Sequence, residues 1–140
     1  MRPDYFVDLL RVGMVEKFNA VRPPVIDLRW TDLRGLDLAG VDLTGADLRK
    51  ANLSGTRLMA ARLRGAILDY ADLSKADLTG ADLFRASLDG ANLTAANFQR
   101  AYLGEASIKD AILESTMLDD ALLEGIIGLD NQPIKRAESA

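Results

Sequence analysis

The strongest constraint on the fold is a large apolar residue at every fifth position from Leu28 to Leu123. The series runs for twenty consecutive steps without a slip, and every member is Leu, Ile or Phe. A period of five fits neither an α-helix, which repeats apolar residues about every 3.6 positions, nor a strand, which repeats them at every second position. Regular self-similarity of this length predicts a solenoid whose units stack on their neighbours.

A second series of small residues lies two positions before the large one. Between residues 46 and 121 its members are Ala, except for Thr56 and Thr116. Residues two positions apart point to the same side of a strand, so both series are expected to face the interior. The last position of the unit is often glycine, as at Gly65 and Gly80, and glycine permits a turn with positive φ. Each unit is therefore predicted to be a very short strand followed by a bend.

The order of residues within the unit resembles that of the pentapeptide-repeat family, which is a small residue, Asp or Asn, Leu or Phe, a polar residue and Gly. Direct matches are the Ala-Asp-Leu segments at 46–48, 71–73, 76–78 and 81–83, and the resemblance covers residues 26–125. It implies an all-β solenoid, a right-handed quadrilateral β-helix. The twenty units would then form about five coils.

The segment before the repeats carries apolar residues at helical spacing and ends in a proline pair. The apolar stripe consists of Tyr5, Phe6, Leu9, Leu10, Met14, Phe18 and Val21. We predict one α-helix that has Asp4 as its N-cap, ends before Pro23 and covers the first coil; a membrane-binding or partner-binding helix is the alternative. The predicted organisation is a capping helix and linker over 1–25, a β-helix over 26–128 and a flexible tail over 129–140.

The composition excludes several kinds of chemistry. The chain has no Cys and no His, so disulfides, Cys/His zinc sites and nucleophile–histidine pairs are excluded. Columns of Asp and Asn, such as Asp27 over Asp47, recur with the repeat, which favours a role in the turns over metal binding or acid–base catalysis. We expect no enzymatic activity, no cofactor and no metal. The sequence shows neither a long apolar span nor a signal peptide, so a cytoplasmic protein is expected.

Two surface groups are candidates for partner binding. Residues twenty apart should stack in columns, and one column holds Trp30, Lys50 and Tyr70, with the lysine placed to lie between two aromatic rings. The second group is basic and consists of Arg57, Arg62, Arg64, Phe84 and Arg85, with Met59 beside them. It suits an acidic protein surface or nucleic acid, but the net charge of −4 and the lack of a binding motif argue against nucleic acid. The alternatives are an ordinary packed ladder and solvated arginines.

The C-terminal end combines acidic and apolar residues. Residues 104–130 carry seven acidic groups against Lys109 alone, and from Tyr102 onwards the outward position of the unit is often apolar. The predicted interface residues are Ile112, Met117, Leu122, Ile126, Ile127 and Leu129. Such a cluster at an uncapped end predicts a homodimer formed end to end through the last coil; the alternative is a local cap formed by the tail.

These observations predict a non-enzymatic protein–protein interaction or scaffold module. The family resemblance also implies an alternative. Some members resemble duplex DNA, dimerise through their C-terminal coils and protect gyrase from quinolones or peptide toxins. The acidic end is compatible with that function, whereas the weak net charge, the short rod and the lack of a loop that interrupts the repeats count against it. No direct contact with nucleic acid or membrane is expected.

Overall fold

The computed structural model describes residues 4–129 and shows a four-sided β-solenoid behind two short helices. Helix α1 spans Tyr5–Arg11 and helix α2 spans Val15–Val21. Within the described residues, the extended segments are isolated one-residue parallel bridges that run from Asp27↔Asp47 to Ser107↔Ile127. Every bridge joins residues twenty apart, so four units make one coil and the twenty units make five. The predicted solenoid is confirmed. The bridge residues of the first coil define the four faces, which are numbered one to four in the order Asp27, Asp32, Asp37 and Asp42. Each corner takes the number of the face that precedes it.

The interior contains the two apolar series, as predicted. The large residues are buried over 28–113 and the small residues over 46–111. Thr56 and Thr116 occupy small positions, and their hydroxyl groups donate to main-chain carbonyls of an earlier coil at 2.8 and 2.7 Å. Because these hydroxyl groups are hydrogen-bonded, threonine replaces alanine in the core without leaving a buried polar group unsatisfied.

Each unit bends through a turn whose second central residue is left-handed. All twenty such positions, from Trp30 to Gly125, have φ between +55° and +76°. In the first of them the Thr31 N–H donates to the Leu28 carbonyl at 3.2 Å, which together with the positive φ is the geometry of a type II turn. Eight of the twenty residues are glycine and twelve are not, so the predicted turn is confirmed without a requirement for glycine.

The recurring Asp and Asn side chains stabilise these turns. In all eleven cases the side-chain Oδ1 accepts the N–H of the residue two positions later. Examples are Ser74 to Asp72 at 2.9 Å and Thr79 to Asp77 at 3.0 Å. The predicted role of these residues in the turns is confirmed.

The predicted helical cap at the N-terminus is confirmed, but it consists of two helices rather than one. The chain breaks at Gly13, whose φ is +79°, and two seven-residue helices result. Asp4 does precede α1, but its side chain makes no capping hydrogen bond. Helix α2 ends at Val21, ahead of Pro23, as the proline pair predicts.

The apolar stripe of this segment is only partly buried. The residues of the segment that are buried in the core cluster are Leu9, Leu10 and Phe18. Met14 and Val21 were assigned to the same stripe and are exposed. The break at Gly13 explains the difference, because it changes the helical phase between the two halves of the segment.

Helix α2 also supplies hydrogen bonds to the edge of the first coil. The Asp42 N–H donates to Asn19 Oδ1 at 2.8 Å, and Asn19 Nδ2 donates to the Gly40 carbonyl at 3.1 Å. One coil later the equivalent N–H, that of Arg62, donates to the Val41 carbonyl at 2.9 Å. The amide of Asn19 thus takes the place of the main chain of a preceding coil.

Neither helix in the described part of the chain is long and apolar enough to cross a membrane. The predicted flexible tail over 129–140, and a cap formed by it, lie outside the described residues apart from Leu129.

Candidate functional site

The first corner of the solenoid carries the predicted column of Trp30, Lys50 and Tyr70. Lys50 Nζ lies 4.6 Å from the centroid of the Trp30 ring. The Tyr70 ring is turned toward the next coil, where a Cβ atom on Gly90 would overlap it. No cation–π contact joins Lys50 to Tyr70 in the part of the chain that the structure describes, so the predicted lysine between two rings is wrong. The lysine contacts one ring, and glycine makes room for the other.

Both aromatic residues are exposed in a backbone conformation that glycine prefers. Trp30 is 72% exposed and Tyr70 is 66% exposed, and φ is +61° at each. Left-handed backbone costs a residue with a Cβ atom about 1–2 kcal/mol. Twelve of the twenty equivalent positions carry this cost, so the strain is common to the repeat; the two large exposed rings are what make this column a candidate for binding.

Two arginines beside the column form ion pairs within their own turns. Arg29 Nε donates to Asp27 Oδ1 at 2.9 Å, and Arg49 Nε donates to Asp47 Oδ1 at 2.9 Å. The side-chain hydrogen bond from Arg29 lowers the pKa of Asp27 to about 2. The hydrogen bond from Arg49 likewise lowers the pKa of Asp47. Both carboxylates are therefore ionised and paired at neutral pH.

The carboxylates of the same corner in the third and fourth coils also accept hydrogen bonds. Asp69 accepts from the Ser87 hydroxyl and, at 3.1 Å, from the Asp89 N–H. Asp89 accepts from the Ser107 hydroxyl and, at 3.0 Å, from the Lys109 N–H. The acidic groups at this corner thus serve to tie one coil to the next.

The predicted basic group is divided by the structure. Arg57 lies on the third face, where it bridges Asp37 and Asp77 through the main chain, whereas Arg62 lies on the fourth face. The side chains of Arg64, Phe84 and Arg85 project from the fourth corner. The proposed common surface with Arg57 is therefore wrong, because a corner of the solenoid separates it from the others.

The fourth corner contains a stacked cluster with a member that the sequence analysis missed. The Phe84 and Tyr102 rings are stacked, with centroids 5.4 Å apart. The guanidinium of Arg64 lies 5.0 Å from the Phe84 centroid and 5.8 Å from the Tyr102 centroid, and that of Arg85 lies 5.0 Å from Phe84. Tyr102 comes eighteen residues after Phe84, and a separation of twenty alone does not pair them. Contacts between adjacent coils at a separation of eighteen have to be considered as well.

Each arginine of this cluster already has an acidic partner. Arg64 pairs with Asp82 at 2.5 Å and Arg85 with Glu105 at 3.0 Å. Arg62 lies 3.6 Å from the carboxylate of Asp42. The acidic partners neutralise these arginines, and the ion pairs join adjacent coils. The predicted free basic surface is therefore not present at this corner.

At the C-terminal end the last residue on each of the four faces is apolar, and we call the segment that carries these residues, 112–127, the last coil. These residues are Ile112, Met117, Leu122 and Ile127. Leu122 is 61% exposed, and Ile112 and Ile127 are also exposed, whereas Met117 is half-buried. Carboxylates project at the corners between them, namely Asp110, Glu114, Asp119, Asp120 and Glu124, against the single cation Lys109. Apolar faces thus alternate with acidic corners around the coil.

Among residues 4–129, the same coil also has main-chain N–H groups that find no acceptor. In the coil above, the Leu93 N–H donates to the Ile112 carbonyl at 2.9 Å. Within residues 4–129, the N–H groups of Leu113, Leu118 and Leu123 have no such partner. The remaining predicted interface residues, Ile126 and Leu129, are half-buried at this open end of the core rather than on its sides.

A stack of five-residue turns around an apolar interior defines a β-solenoid whose flat faces and ends are its available surfaces. The chain belongs to the pentapeptide-repeat family, since the family model described as "Pentapeptide repeats (8 copies)" matches residues 26–65, 57–83 and 86–125. The fold is the right-handed quadrilateral β-helix that the resemblance implies.

Solved structures of the family support this assignment. The pentapeptide repeat protein Rfr23 from the cyanobacterium Cyanothece 51142 is 32% identical, with 79% of this chain and 90% of that chain covered and a TM-score of 0.75. A pentapeptide repeat protein from the Arabidopsis thaliana thylakoid lumen is 32% identical, with 71% and 68% covered and a TM-score of 0.66. The fluoroquinolone resistance protein QnrB1 is 21% identical over 73% of this chain and 64% of its own, with a TM-score of 0.41, which carries no inference on function. No curated protein sequence matches the chain.

Proposed function

We propose that the protein is a non-enzymatic protein-binding module and that its last coil holds the partner. The observation that carries this proposal is the alternation of apolar faces and acidic corners on that coil. Ile112, Leu122 and Ile127 present exposed aliphatic surface on three faces, and carboxylates flank it. The partner is accordingly a protein with an apolar patch and basic residues around it.

The apolar side chains and the carboxylates of the last coil contribute to binding in different ways. Burial of exposed aliphatic side chains contributes about 25 cal/mol per Å² of apolar area, and these side chains project from a stacked backbone that is ordered before binding, which limits the entropy lost on association. The carboxylates add orientation and a faster encounter with a positively charged partner. Binding should therefore weaken as the salt concentration rises.

The repeated acidic groups support a structural role rather than a catalytic one. All eleven Asp and Asn side chains of the outward row accept a main-chain hydrogen bond in their own turns. A carboxylate held in this way stabilises a bend, and its recurrence follows the repeat rather than a single site.

A second copy of the chain is the other candidate partner for this end, and the homodimer stays a prediction. Within residues 4–129 the N–H groups at this edge, such as that of Leu113, have no main-chain acceptor, and an edge of this kind can pair with another chain. Against this, a two-fold contact brings like-charged corners together. A DNA-mimic function, in which the acidic end binds gyrase or topoisomerase, also stays an alternative. It predicts that the purified protein changes gyrase supercoiling or its inhibition by a quinolone.

The test is an affinity capture from the native host with three forms of the full chain: the unaltered protein, a double variant of the last coil and a control variant. The retained protein is identified and purified, and its binding to each of the three forms is then measured. Leu122→Asp with Ile127→Asp should abolish retention. Val25→Asp provides the matched control, because Val25 is also exposed and lies at the opposite end of the solenoid. Equal retention by all three forms would contradict the proposal.

Light scattering on the same three forms identifies the second copy as partner. A dimer that the double substitution converts to monomer, while Val25→Asp leaves it intact, assigns the last coil to self-association. A protein that stays monomeric at high concentration excludes the homodimer.

A further inference from the structure

We propose that the first-corner column of Trp30, Lys50 and Tyr70 binds a polyproline II segment of a partner protein, with prolines at the two rings and an acidic residue at the lysine. The column lies on the side of the solenoid, separate from the last coil, so this proposal does not depend on the function proposed for that coil.

Both rings are exposed, and each is positioned by a neighbour in the following coil. Lys50 lies over the Trp30 ring at 4.6 Å, and the Tyr70 ring occupies the space that a Cβ atom on Gly90 would need. Large rigid rings that are ordered before binding lose little conformational entropy when a ligand covers them. The arrangement is therefore a preformed aromatic platform.

The spacing of the two backbone sites that carry the rings matches one turn of polyproline II. Trp30 and Tyr70 hold the same turn position two coils apart. Because adjacent parallel strands are separated by about 4.8 Å, their backbone sites are about 9.6 Å apart along the stack. A polyproline II helix rises about 3.1 Å per residue with three residues per turn, so residues three apart are about 9.3 Å apart on one face. Two prolines separated by two residues can contact both rings.

Two of the polar groups at this corner, Trp30 Nε1 and Lys50 Nζ, are donors only, and the Tyr70 hydroxyl can donate as well as accept. Within residues 4–129, neither Trp30 Nε1 nor Tyr70 Oη has a hydrogen-bond partner, and Lys50 has no carboxylate within ion-pair distance. The nearby carboxylates of Asp27 and Asp47 are paired with arginines. A ligand for this corner must therefore be rich in acceptors and need few of its own donors satisfied.

A proline-rich segment has this chemistry. Proline has no N–H, and the carbonyl groups of a polyproline II helix face solvent without internal hydrogen bonds, so they can accept from indole and phenol groups. Aromatic-lined surfaces bind such segments in other protein classes. A polysaccharide also stacks on aromatic rings, but each of its hydroxyl groups donates as well as accepts, and the carboxylates nearest this column already have partners. The observations favour the peptide.

The chain contains one tryptophan, so its fluorescence reports directly on the site. The probe is a synthetic acetylated peptide of four Pro-Pro-Glu units, titrated into the full-length protein and checked by calorimetry. We expect a saturable change in Trp30 emission. A peptide of four Gly-Ser-Glu units has the same charge and no polyproline II preference, and it should bind at least tenfold more weakly.

Substitutions to glycine remove each ring without a risk to the fold, because glycine occupies eight of the twenty equivalent turn positions. Tyr70→Gly should weaken calorimetric binding of the Pro-Pro-Glu peptide by about tenfold or more. Lys75→Gly is the matched control, since Lys75 holds the same left-handed position at the second corner, and it should leave binding unchanged. Lys50→Gln should weaken binding and reduce its salt dependence.

Three results would overturn the proposal. They are a lack of saturable binding of the Pro-Pro-Glu peptide, equal affinity of Tyr70→Gly and the unaltered protein, and saturable binding of cellohexaose in place of the peptide. The last result would assign the platform to a carbohydrate. A null result with the last-coil variants does not affect any of these measurements, so the two proposals fail independently.

Discussion

The two ends of the solenoid differ in how they terminate the same repeat. At the N-terminal end, Phe18 and Leu10 are buried in the core cluster, and Asn19 completes the hydrogen bonds of the first coil. At the C-terminal end, within the described residues, the N–H groups of Leu113 and Leu118 have no main-chain partner and the core is only partly covered.

This difference shows that a repeat stabilises its own interior but not its ends. A middle coil obtains its apolar contacts and hydrogen bonds from two neighbours, whereas a terminal coil has only one. The N-terminal segment substitutes for the missing neighbour with side chains that do not follow the repeat. The C-terminal coil has no such substitute among residues 4–129, and its exposed apolar side chains form the surface at which we propose that a partner binds.

The largest expected effect is the loss of apolar cover at the capped end. Phe18→Ala should lower the free energy of unfolding by about 3–5 kcal/mol, because Phe18 is fully buried and its removal leaves a cavity. Leu122→Ala at the open end should change it by about 0.5 kcal/mol or less, because that side chain is exposed. Urea unfolding followed by circular dichroism measures both. Similar values for the two variants would mean that the ends are not different.

A smaller effect is expected from the hydrogen bonds of the cap. Asn19→Ala removes the acceptor of the Asp42 N–H and the donor to Gly40, and it should cost about 1–3 kcal/mol because the Asp42 N–H loses its partner. Lys17→Ala, on the exposed side of the same helix, is the control and should cost far less.

Amide hydrogen exchange locates that effect. In Asn19→Ala the Asp42 amide should exchange faster, while in the unaltered protein the Leu113 amide should already exchange fast. Strong protection of Leu113 would show that the C-terminal edge is covered in solution, and the contrast between the ends would then be lost.

The repeated part of the fold could be predicted because the same evidence recurs twenty times, so each unit tests the assignment of the others. The cap could not be predicted to the same depth, since it occurs once. Gly13 indicates a break in the helix, but the helical spacing of apolar residues continues through Met14 and favours a single helix. Asn19 gave no signal, because its role depends on how α2 is placed against the first coil.

The surface columns show a similar limit. A separation of twenty residues correctly places Trp30, Lys50 and Tyr70 on one corner. It does not determine the direction in which a side chain turns, and Tyr70 turns to Gly90 because glycine leaves space there. The prediction of a free basic surface was wrong for another reason. Its arginines contact acidic residues eighteen or twenty positions away, as Arg64 does with Asp82, and the charge pattern along the sequence does not show these contacts.

The smallest expected effect concerns the ion pairs of Asp42, whose carboxylate lies 3.1 Å from the Arg22 guanidinium of the N-terminal segment and 3.6 Å from that of Arg62 in the second coil. Burial acts to raise the pKa of Asp42, but hydrogen bonds from Thr44 and the charges of Arg22 and Arg62 outweigh it, and the pKa lies below its ordinary value of 3.8. A carboxyl whose pKa is lowered by folding binds its proton more readily in the unfolded chain. Its contribution to stability is therefore complete above pH 3.8 and is lost as the pH falls through the lower, folded-state value.

Asp42→Asn sharpens this point, because the amide oxygen can still accept from Thr44 while the charge is gone. The variant should be less stable than the unaltered protein at neutral pH, and the difference in melting temperature should shrink as the pH falls from about 5 to about 2. Other carboxylates with lowered pKa values, such as Asp27 and Asp47, titrate in both forms and cancel in the difference. A gap that stays constant over this range would show that the charge of Asp42 does not hold the cap, and that the contacts of Phe18 and Asn19 alone distinguish the closed end from the open one.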